Sequence, residues 1–267
     1  MIDVHSHLLP GIDDGPKTWE SSIALCRALV ADGIRTAVTT PHVIDHVYDN
    51  HTRRVAYLVG ELRERLARAG VPLRVLPGGE VEASCRHLRE APHDDVPTLA
   101  GGRWLLIELP VTLVPHALEH LLFSLVTRGV VPLIAHPERC HAVQKSVEVA
   151  RGWRHAGAVL QIDAESVLGL WGPPSRDAAM AIVGDGLAHC LASDSHSVTR
   201  RPPRLAAARA AVARAHGEQV ATFLVEDGPR RALEGRAPGD DVPRPPRAAR
   251  SFFARVAERF SPRHPDR

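Results

Sequence analysis

Paired histidine and carboxylate residues near both ends of the chain are the first sign of chemistry. His5 and His7 are separated by one residue, and Asp194 and His196 repeat that spacing far along the chain. Residues two apart in an extended segment project from the same side, so each pair can offer two ligand atoms to one ion or to neighbouring ions. Imidazole and carboxylate ligands together suit Mn, Fe or Zn. The pairs therefore predict a metal site that needs no cysteine.

Further candidate ligands each follow a short apolar run that is rich in β-branched residues. They are His42, Glu80, Glu108 and His136. The loop after His7 adds Asp13 and Asp14, and the residues alone leave open which of these two aspartates would reach a metal. If the apolar runs are parallel strands, their carboxyl ends meet on one face, where active sites are built.

The elements that would position these residues alternate along the chain. The predicted strands are Ile2–His5, 35–40, 73–77, 103–109, 130–135, 158–163 and 188–193. The predicted helices cover about 18–32, 52–69, 115–128, 143–156, 175–186 and 203–216. Seven successive βα units predict an α/β fold with a parallel sheet, and a chain of 267 residues matches the roughly 250 that are typical of a closed barrel. The sixth strand, which ends near Asp163, is the exception in carrying no candidate ligand beyond its end.

Composition excludes several classes of protein. The formal net charge is +2, but ten arginines against five acidic residues after position 228 make only the tail basic, so the body lacks the charge of a nucleic-acid binder. Apolar runs never reach the roughly 18 residues of a membrane span, and acidic Asp3 sits where a signal peptide would be basic or apolar. Four cysteines scattered singly fit reduced thiols. We expect a cytoplasmic protein without a transmembrane segment.

Two other catalytic schemes fit the sequence poorly. A cysteine-dependent phosphatase needs an arginine six residues after its thiolate, and none of the four cysteines has one there. The segment HALEH, residues 116–120, matches an inverted zinc-protease motif. Its histidines, however, lie away from the leucine stripe of the predicted helix, which favours a solvent-facing position.

Several motifs, taken in order, resemble one superfamily. The stretches DVHSHLLPGIDDGP, TTPH, GGEVEAS, AHPER, QIDAESVLGLWG and SDSHSVTRRPP resemble the PHP (polymerase and histidinol phosphatase) phosphoesterases, and within them the bacterial protein-tyrosine phosphatases of the CpsB/CapC type. The resemblance covers residues 1 to about 223. It implies a distorted seven-stranded (βα)7 barrel and a cluster of three divalent ions, with Mn favoured and Fe or Zn as alternatives.

The resemblance also implies a role for each candidate residue. It places His5, His7, Glu80 and Asp194 on a first metal, Glu80, Glu108 and His136 on a second, and Asp14, His42 and His196 on a third. Asp14 is favoured over Asp13. Arg139 and Arg201 match phosphate-binding positions, with Arg200 as the alternative to Arg201. Cys140 and Asp163 depart from the family pattern, which has an aromatic residue and an asparagine there.

The implied function is a metal-dependent protein-tyrosine phosphatase that uses metal-activated water. Its expected partner is a phosphotyrosine protein, namely a bacterial tyrosine kinase that controls capsule or exopolysaccharide synthesis. The alternatives are a PHP phosphatase of a small metabolite such as histidinol phosphate, and a catalytically silent module that binds metal and a partner. The oligomeric state stays open.

The domain organisation is predicted from the end of the barrel pattern. Residues 1–228 form the expected phosphoesterase barrel, and residues 229–267 form a tail rich in proline and arginine. Within that tail, AARSFFARVAERF has the pattern of a short basic amphipathic helix, which is typical of peripheral contact with an anionic membrane or a partner. The alternative, which the proline-rich surroundings favour, is a short helix docked on the barrel or a largely disordered segment.

Overall fold

The architecture was obtained as a computed structural model. It describes residues 1–86, 88, 96–112, 114–115, 117–239 and 242–244. The proposed amphipathic segment of the tail lies outside the described residues. Across the described residues, no helix combines the length and apolar character that crossing a membrane demands.

Nine short strands are found in the described part of the chain. They are β1 Ile2–Ser6, β2 Thr36–Thr39, β3 His42–Val43, β4 Arg74–Pro77, β5 Glu80–Glu82, β6 Trp104–Glu108, β7 Val131–Ala135, β8 Val159–Asp163 and β9 Ala188–Ala192. They form two parallel sheets, of order β1-β2-β4 and β3-β5-β6-β7-β8-β9. The α/β class and the parallel pairing are as predicted, whereas the single closed sheet of seven strands is not what these pairings form.

The difference comes from two short extra strands, β3 and β5, which follow breaks just after the second and third predicted strands. Pro41 separates β2 from β3, and a proline has no N–H to donate to a sheet ladder. Gly78 and Gly79 separate β4 from β5, and a Cβ on Gly79 would come within 2.4 Å of the Pro97 ring, so the backbone there passes too close to Pro97 for a side chain. Each of these two units therefore gives its first half to the small sheet and its second half to the large one.

Ten α-helices flank the sheets in the described ranges. They are α1 Trp19–Ala31, α2 Thr52–Arg68, α3 Leu118–Thr127, α4 His141–Lys145, α5 Glu148–His155, α6 Ala164–Val167, α7 Pro173–Gly184, α8 Leu205–His216, α9 Glu218–Thr222 and α10 Gly228–Leu233. The predicted helix 143–156 is divided into α4 and α5, because Ser146 adopts an extended backbone conformation. A π-helical turn, Phe223–Asp227, joins α9 to α10.

Two apolar clusters hold these layers together. The larger lies between strands and helices and includes Leu29, Leu62, Leu105 and Ile182. The smaller joins strands of both sheets, with Val4 and Val38 from one packed with Leu106 and Leu133 of the other. Since the two sheets share this interior cluster, their strand ends face a common region.

The packed chain continues beyond residue 228. Gly228, Pro229 and Ala232 of α10 are buried, and the indole Nε1–H of buried Trp104 donates to the Arg236 carbonyl at 2.7 Å. The predicted boundary thus falls inside a packed helical segment. The sequence did not indicate that α10 is packed, because its composition is polar and rich in proline and its buried residues are small.

Candidate metal centre

The ends of β1 and β9 are joined next to each other. The Asp194 N–H donates to the His5 carbonyl, and the His7 N–H donates to the Ser195 carbonyl, both at 2.9 Å. This pairing brings the segment from His5 to His7 next to the segment from Asp194 to His196, although the two are remote in sequence. Nε2 of His5 lies 3.3 Å from Oδ1 of Asp194, and Nε2 of His7 lies 3.5 Å from the same oxygen.

Glu80 occupies the middle of the cluster and is buried. Its Oε2 lies 3.2 Å from Nε2 of His5, 3.5 Å from Nε2 of His7 and 3.0 Å from Nδ1 of His42. Its Oε1 lies 3.0 Å from Nε2 of His136. One carboxylate thus faces four imidazoles, which is an arrangement that allows it to bridge two cations.

Asp14 and Glu108 lie at the open side of the cluster. Oδ1 of Asp14, whose side chain is 49% exposed, is 3.1 Å from Nε2 of His196 and 3.4 Å from Nε2 of His42. Oε2 of Glu108 lies 3.4 Å from Nδ1 of His42. These two carboxylates border the solvent, where a substrate would approach.

All nine predicted ligands therefore belong to one site. Their donor atoms form overlapping groups within 4.8 Å: His7, Asp14, His42 and His196; His5, His7 and Glu80; His5, His136 and Asp194; and His42, Glu80 and Glu108. The groups share members, as expected for several adjacent ions.

Asp13 has a different position from Asp14. Its Oδ2 lies 2.8 Å from Nδ1 of His7, and its Oδ1 accepts the Gly15 N–H at 2.9 Å. The carboxylate is therefore at the far nitrogen of the His7 ring, where it fixes the tautomer that leaves Nε2 free for a ligand bond.

Two of the nine residues have a strained backbone. His136 has φ of 31° and Asp194 has φ of 48°, which is the left-handed region that non-glycine residues rarely adopt. Such strain, on the order of 1–3 kcal/mol per residue, persists where the surroundings fix it and is concentrated at functional sites. Here it turns both side chains into the cluster.

The donor set fits divalent cations. In the described structure, buried Oε2 of Glu80, Oδ1 of Asp194 and Nδ1 of His42 have no hydrogen-bond partner, although Oε2 of Glu80 lies 3.0 Å from Nδ1 of His42. Burial lowers the pKa of His5, but the charges of Glu80 and Asp194 outweigh it and raise that pKa to about 9. Burial lowers the pKa of His136 and of His196, which keeps both rings neutral as ligands must be. A cluster of buried carboxylates and unpaired lone pairs is stable only around positive charge.

Arg139 and Arg201 lie beside this cluster. Nη1 of Arg139 donates to Oδ2 of Asp194 at 3.1 Å, and Nη2 of Arg201 donates to the same oxygen. Both guanidinium groups face the ring of Trp171, with Cζ at 4.2 Å and 5.5 Å from its centre. Arg200 is exposed, so the geometry favours Arg201 as the arginine of the site.

Supporting residues were missing from the sequence prediction. Oε1 of Gln161 accepts from Nδ1 of His5 at 2.8 Å, and Asp3 accepts the Ser193 hydroxyl at 2.6 Å. Trp171 covers the two arginines. Gln161 and Asp3 each lie two residues before the end of a predicted strand. Since side chains two residues apart in a strand share a face, alternation could have marked both as inward-facing.

Asp163 has a structural role in this arrangement. Its Oδ1 accepts the Glu165 N–H at 2.9 Å and so caps α6, while its own N–H donates to Glu138 at 2.9 Å. Burial, followed by the charges of Asp194 and Glu138, raises its pKa well above the usual value. Asp163 contributes to none of the candidate metal groups.

The structure does not favour a cysteine nucleophile or a zinc site at the HALEH segment. All four cysteines are buried, and burial raises the pKa of the Cys26 thiol to about 12, which suppresses the nucleophilic thiolate. Of the HALEH segment, His116 lies outside the described residues and His120 is exposed. Among the described residues, His120 joins no candidate metal group.

Comparison with known proteins agrees with this geometry. A family model described as capsular polysaccharide synthesis, CpsB/CapC, matches residues 1–234. The tyrosine-protein phosphatase YwqE of Bacillus subtilis is 33% identical over 227 residues, which span 85% of this chain and 89% of that protein. The tyrosine-protein phosphatase CpsB of Streptococcus pneumoniae is 29% identical over 238 residues, with 87% and 98% covered.

A solved structure is similar over nearly the whole chain. It comes from work on YwqE of Bacillus subtilis and CpsB of Streptococcus pneumoniae, which are called unique metal-dependent tyrosine phosphatases there. It superposes with a TM-score of 0.86 at 31% sequence identity and covers 92% of this chain and 100% of that one.

Proposed function

The chain belongs to the CpsB/CapC family of capsular polysaccharide synthesis, and from this premise we propose that it is a metal-dependent protein-tyrosine phosphatase. The observation that supports this most strongly is the convergence of the predicted ligands beside two arginines. A phosphomonoester dianion needs positive charge around its oxygens and a nucleophile in line with the leaving group, and this site has the groups for both.

The proposed cofactor is a cluster of three divalent ions, with manganese as the expected metal and Fe or Zn as alternatives. His5, His7, Glu80 and Asp194 would hold the first, Glu80, Glu108 and His136 the second, and Asp14, His42 and His196 the third. Such ions clamp phosphoryl oxygens and lower the pKa of water, so that hydroxide is available near neutral pH. The overlap of the ligand groups at Glu80 and the unpaired buried oxygens support more than one ion.

Arg139 and Arg201 are the proposed phosphate-binding residues. Each presents a planar fork of N–H donors, which matches the oxygens of a phosphoryl group. Their shared contact with Oδ2 of Asp194 and their contact with Trp171 hold both forks at one rim of the cluster. A tyrosine phenolate has a pKa of about 10 and needs less help from an acid to leave than an alkoxide, so an aryl ester suits this site.

The wider context of the reaction is also a proposal. We place it in the bacterial cytoplasm, in keeping with four cysteines that are scattered singly along the sequence, and its substrate would be a tyrosine kinase that regulates capsule or exopolysaccharide synthesis. The two sheets, with their shared interior cluster, would act as one distorted barrel of seven βα units. The basic amphipathic segment within the predicted tail, residues 229–267, would contact a membrane or a partner peripherally.

A direct comparison of substrates tests the proposed activity. Purified protein with added Mn²⁺ should release phosphate from a phosphotyrosine peptide much faster than from histidinol phosphate. The opposite preference would assign the site to a small metabolite. Failure to hydrolyse either ester while metal is bound would identify a silent metal-binding module instead.

A further inference from the structure

A groove of about 700 Å³ extends from one side of the metal centre. It runs between the segment that leads into α1, which contributes Lys17 and Thr18, and the loop after β9, which contributes Val198 and Arg200. Asp14, His196 and Arg201 also line it, so the groove opens directly into the site. A phosphoryl group alone occupies far less than this volume.

The charges along the groove are mainly positive beyond the ligands. Lys17 and Arg200 are both exposed and line the groove. The Lys17 ammonium donates to the Asp13 carbonyl at 2.7 Å, which fixes it at the wall next to the metal centre. The Arg200 N–H donates to the Ser197 hydroxyl at 3.0 Å, which fixes the turn that presents its side chain. Asp14 is the acidic residue of the lining, and it faces His42 and His196.

Apolar surface accompanies these charges. Pro16 and Val198 line the same groove, and Val198 is 47% exposed. These side chains give the groove apolar surface that a bound segment could contact. The combination of two cations with apolar side chains along a groove of this size suits a polypeptide segment better than a small metabolite.

We propose that this groove is a subsite for the residues flanking phosphotyrosine, and that Lys17 and Arg200 select substrates with acidic side chains at those positions. The inference rests on the proposed phosphatase function and adds to it the class of peptide that the site prefers. Charge complementarity of this kind acts mostly on encounter and selectivity and weakens as salt screens it.

Binding of unreactive peptides tests the groove separately from catalysis. Two labelled peptides carry a difluoromethylphosphonate analogue of phosphotyrosine and differ only in having Glu or Gln at the flanking positions. Fluorescence anisotropy with the Mn²⁺-loaded full chain should show about tenfold tighter binding of the Glu peptide at low salt, with the ratio approaching one in high salt. Equal affinity of the two peptides at low salt would overturn the proposal.

Charge reversal locates the effect. Lys17→Glu with Arg200→Glu should abolish or invert the preference for the Glu peptide. Because the double variant also loses the contact between Lys17 and Asp13, Arg200→Glu is measured alone as well, and it should reduce the preference severalfold. The matched control reverses Arg27 and Arg214, which are exposed on α1 and α8 and do not line the groove, and it should keep the wild-type ratio. An unchanged ratio in the Lys17 and Arg200 variants would also contradict the proposal.

Different results would refute the proposed phosphatase function and the proposed subsite. If the wild-type protein does not hydrolyse phosphotyrosine peptides, the proposed function fails, whatever the affinity ratio. If hydrolysis proceeds while the Glu and Gln analogues bind equally, the function stands and the subsite is refuted.

Discussion

Oδ2 of Asp13 lies 2.8 Å from Nδ1 of His7, on the opposite side of the imidazole from the nitrogen that faces Glu80. This contact separates the roles of two adjacent aspartates that the sequence presents as equivalent. Asp13 orients a ligand, whereas Asp14 reaches toward His42 and His196.

The first prediction concerns these two aspartates. Asp14→Asn should remove about one bound metal ion per chain, because it takes away the carboxylate of the Asp14, His42 and His196 group. Asp13→Asn should keep the full metal content and weaken metal affinity by roughly 10- to 100-fold, as changes to residues behind a ligand do. Metal analysis of both variants by inductively coupled plasma mass spectrometry checks this, and loss of an ion from Asp13→Asn alone would reverse the assignment.

The second prediction concerns the two arginines and Trp171. Arg139→Ala and Arg201→Ala should each lower kcat/KM for a small aryl phosphate by about 100-fold, in line with the roughly 1.5–3 kcal/mol of a charge-assisted hydrogen bond. Trp171→Leu should cause a smaller loss by releasing both guanidinium groups, while Trp171→Phe, which keeps an aromatic face, should stay within a few-fold of wild type. Full activity of both alanine variants would exclude the arginines from phosphate binding.

The third prediction excludes covalent chemistry on cysteine. Replacing Cys26, Cys85, Cys140 and Cys190 together by alanine should preserve turnover at saturating substrate, because the thiols are buried and outside the metal groups. The variant should unfold at a lower temperature, since each truncation leaves a small cavity in the core. Activity measured well below that temperature separates the two effects, and abolished turnover in a folded variant would contradict the metal mechanism.

The fourth prediction concerns the end of the folded region. A chain that stops after residue 244 should unfold at the same temperature as the full chain. One that stops after residue 228 should be strongly destabilised, because it loses buried Pro229 and Ala232 and the hydrogen bond from Trp104 to Arg236. Thermal unfolding followed by circular dichroism compares the two, and equal stability would place the boundary at 228 as the sequence suggested.

The sequence predicted that the candidate ligands would lie close together, and the structure brings them together, because their placement depends on a simple rule. Parallel strands bring their carboxyl ends to one face, so a histidine or carboxylate after each apolar run converges on its counterparts without further information. His5 and Asp194 are brought together in this way, and the predicted helices α1, α2 and α8 were close to their observed bounds.

Other features depend on contacts that the sequence does not encode locally. Gln161 bonds to a histidine 156 residues away, and Trp171 covers arginines from two different loops. Alternation along β8 marks Gln161 as an inward position, but nothing in the stretch around Gln161 or Trp171 identifies the side chain that it contacts. Two further features also depend on tertiary contacts. They are the short strands β3 and β5, which follow Pro41 and Gly79, and the packing of α10 through small residues. The spacing of apolar residues in the sequence indicates neither.

The central claim is that hydrolysis depends on the cations held by this cluster, and metal removal tests it most directly. Protein treated with excess chelator and then freed of it should not hydrolyse a phosphotyrosine peptide, and stoichiometric addition of Mn²⁺ should restore turnover. The same addition should fail to restore a His136→Ala variant that remains folded. Undiminished hydrolysis by wild-type protein in the continued presence of excess chelator would contradict the account.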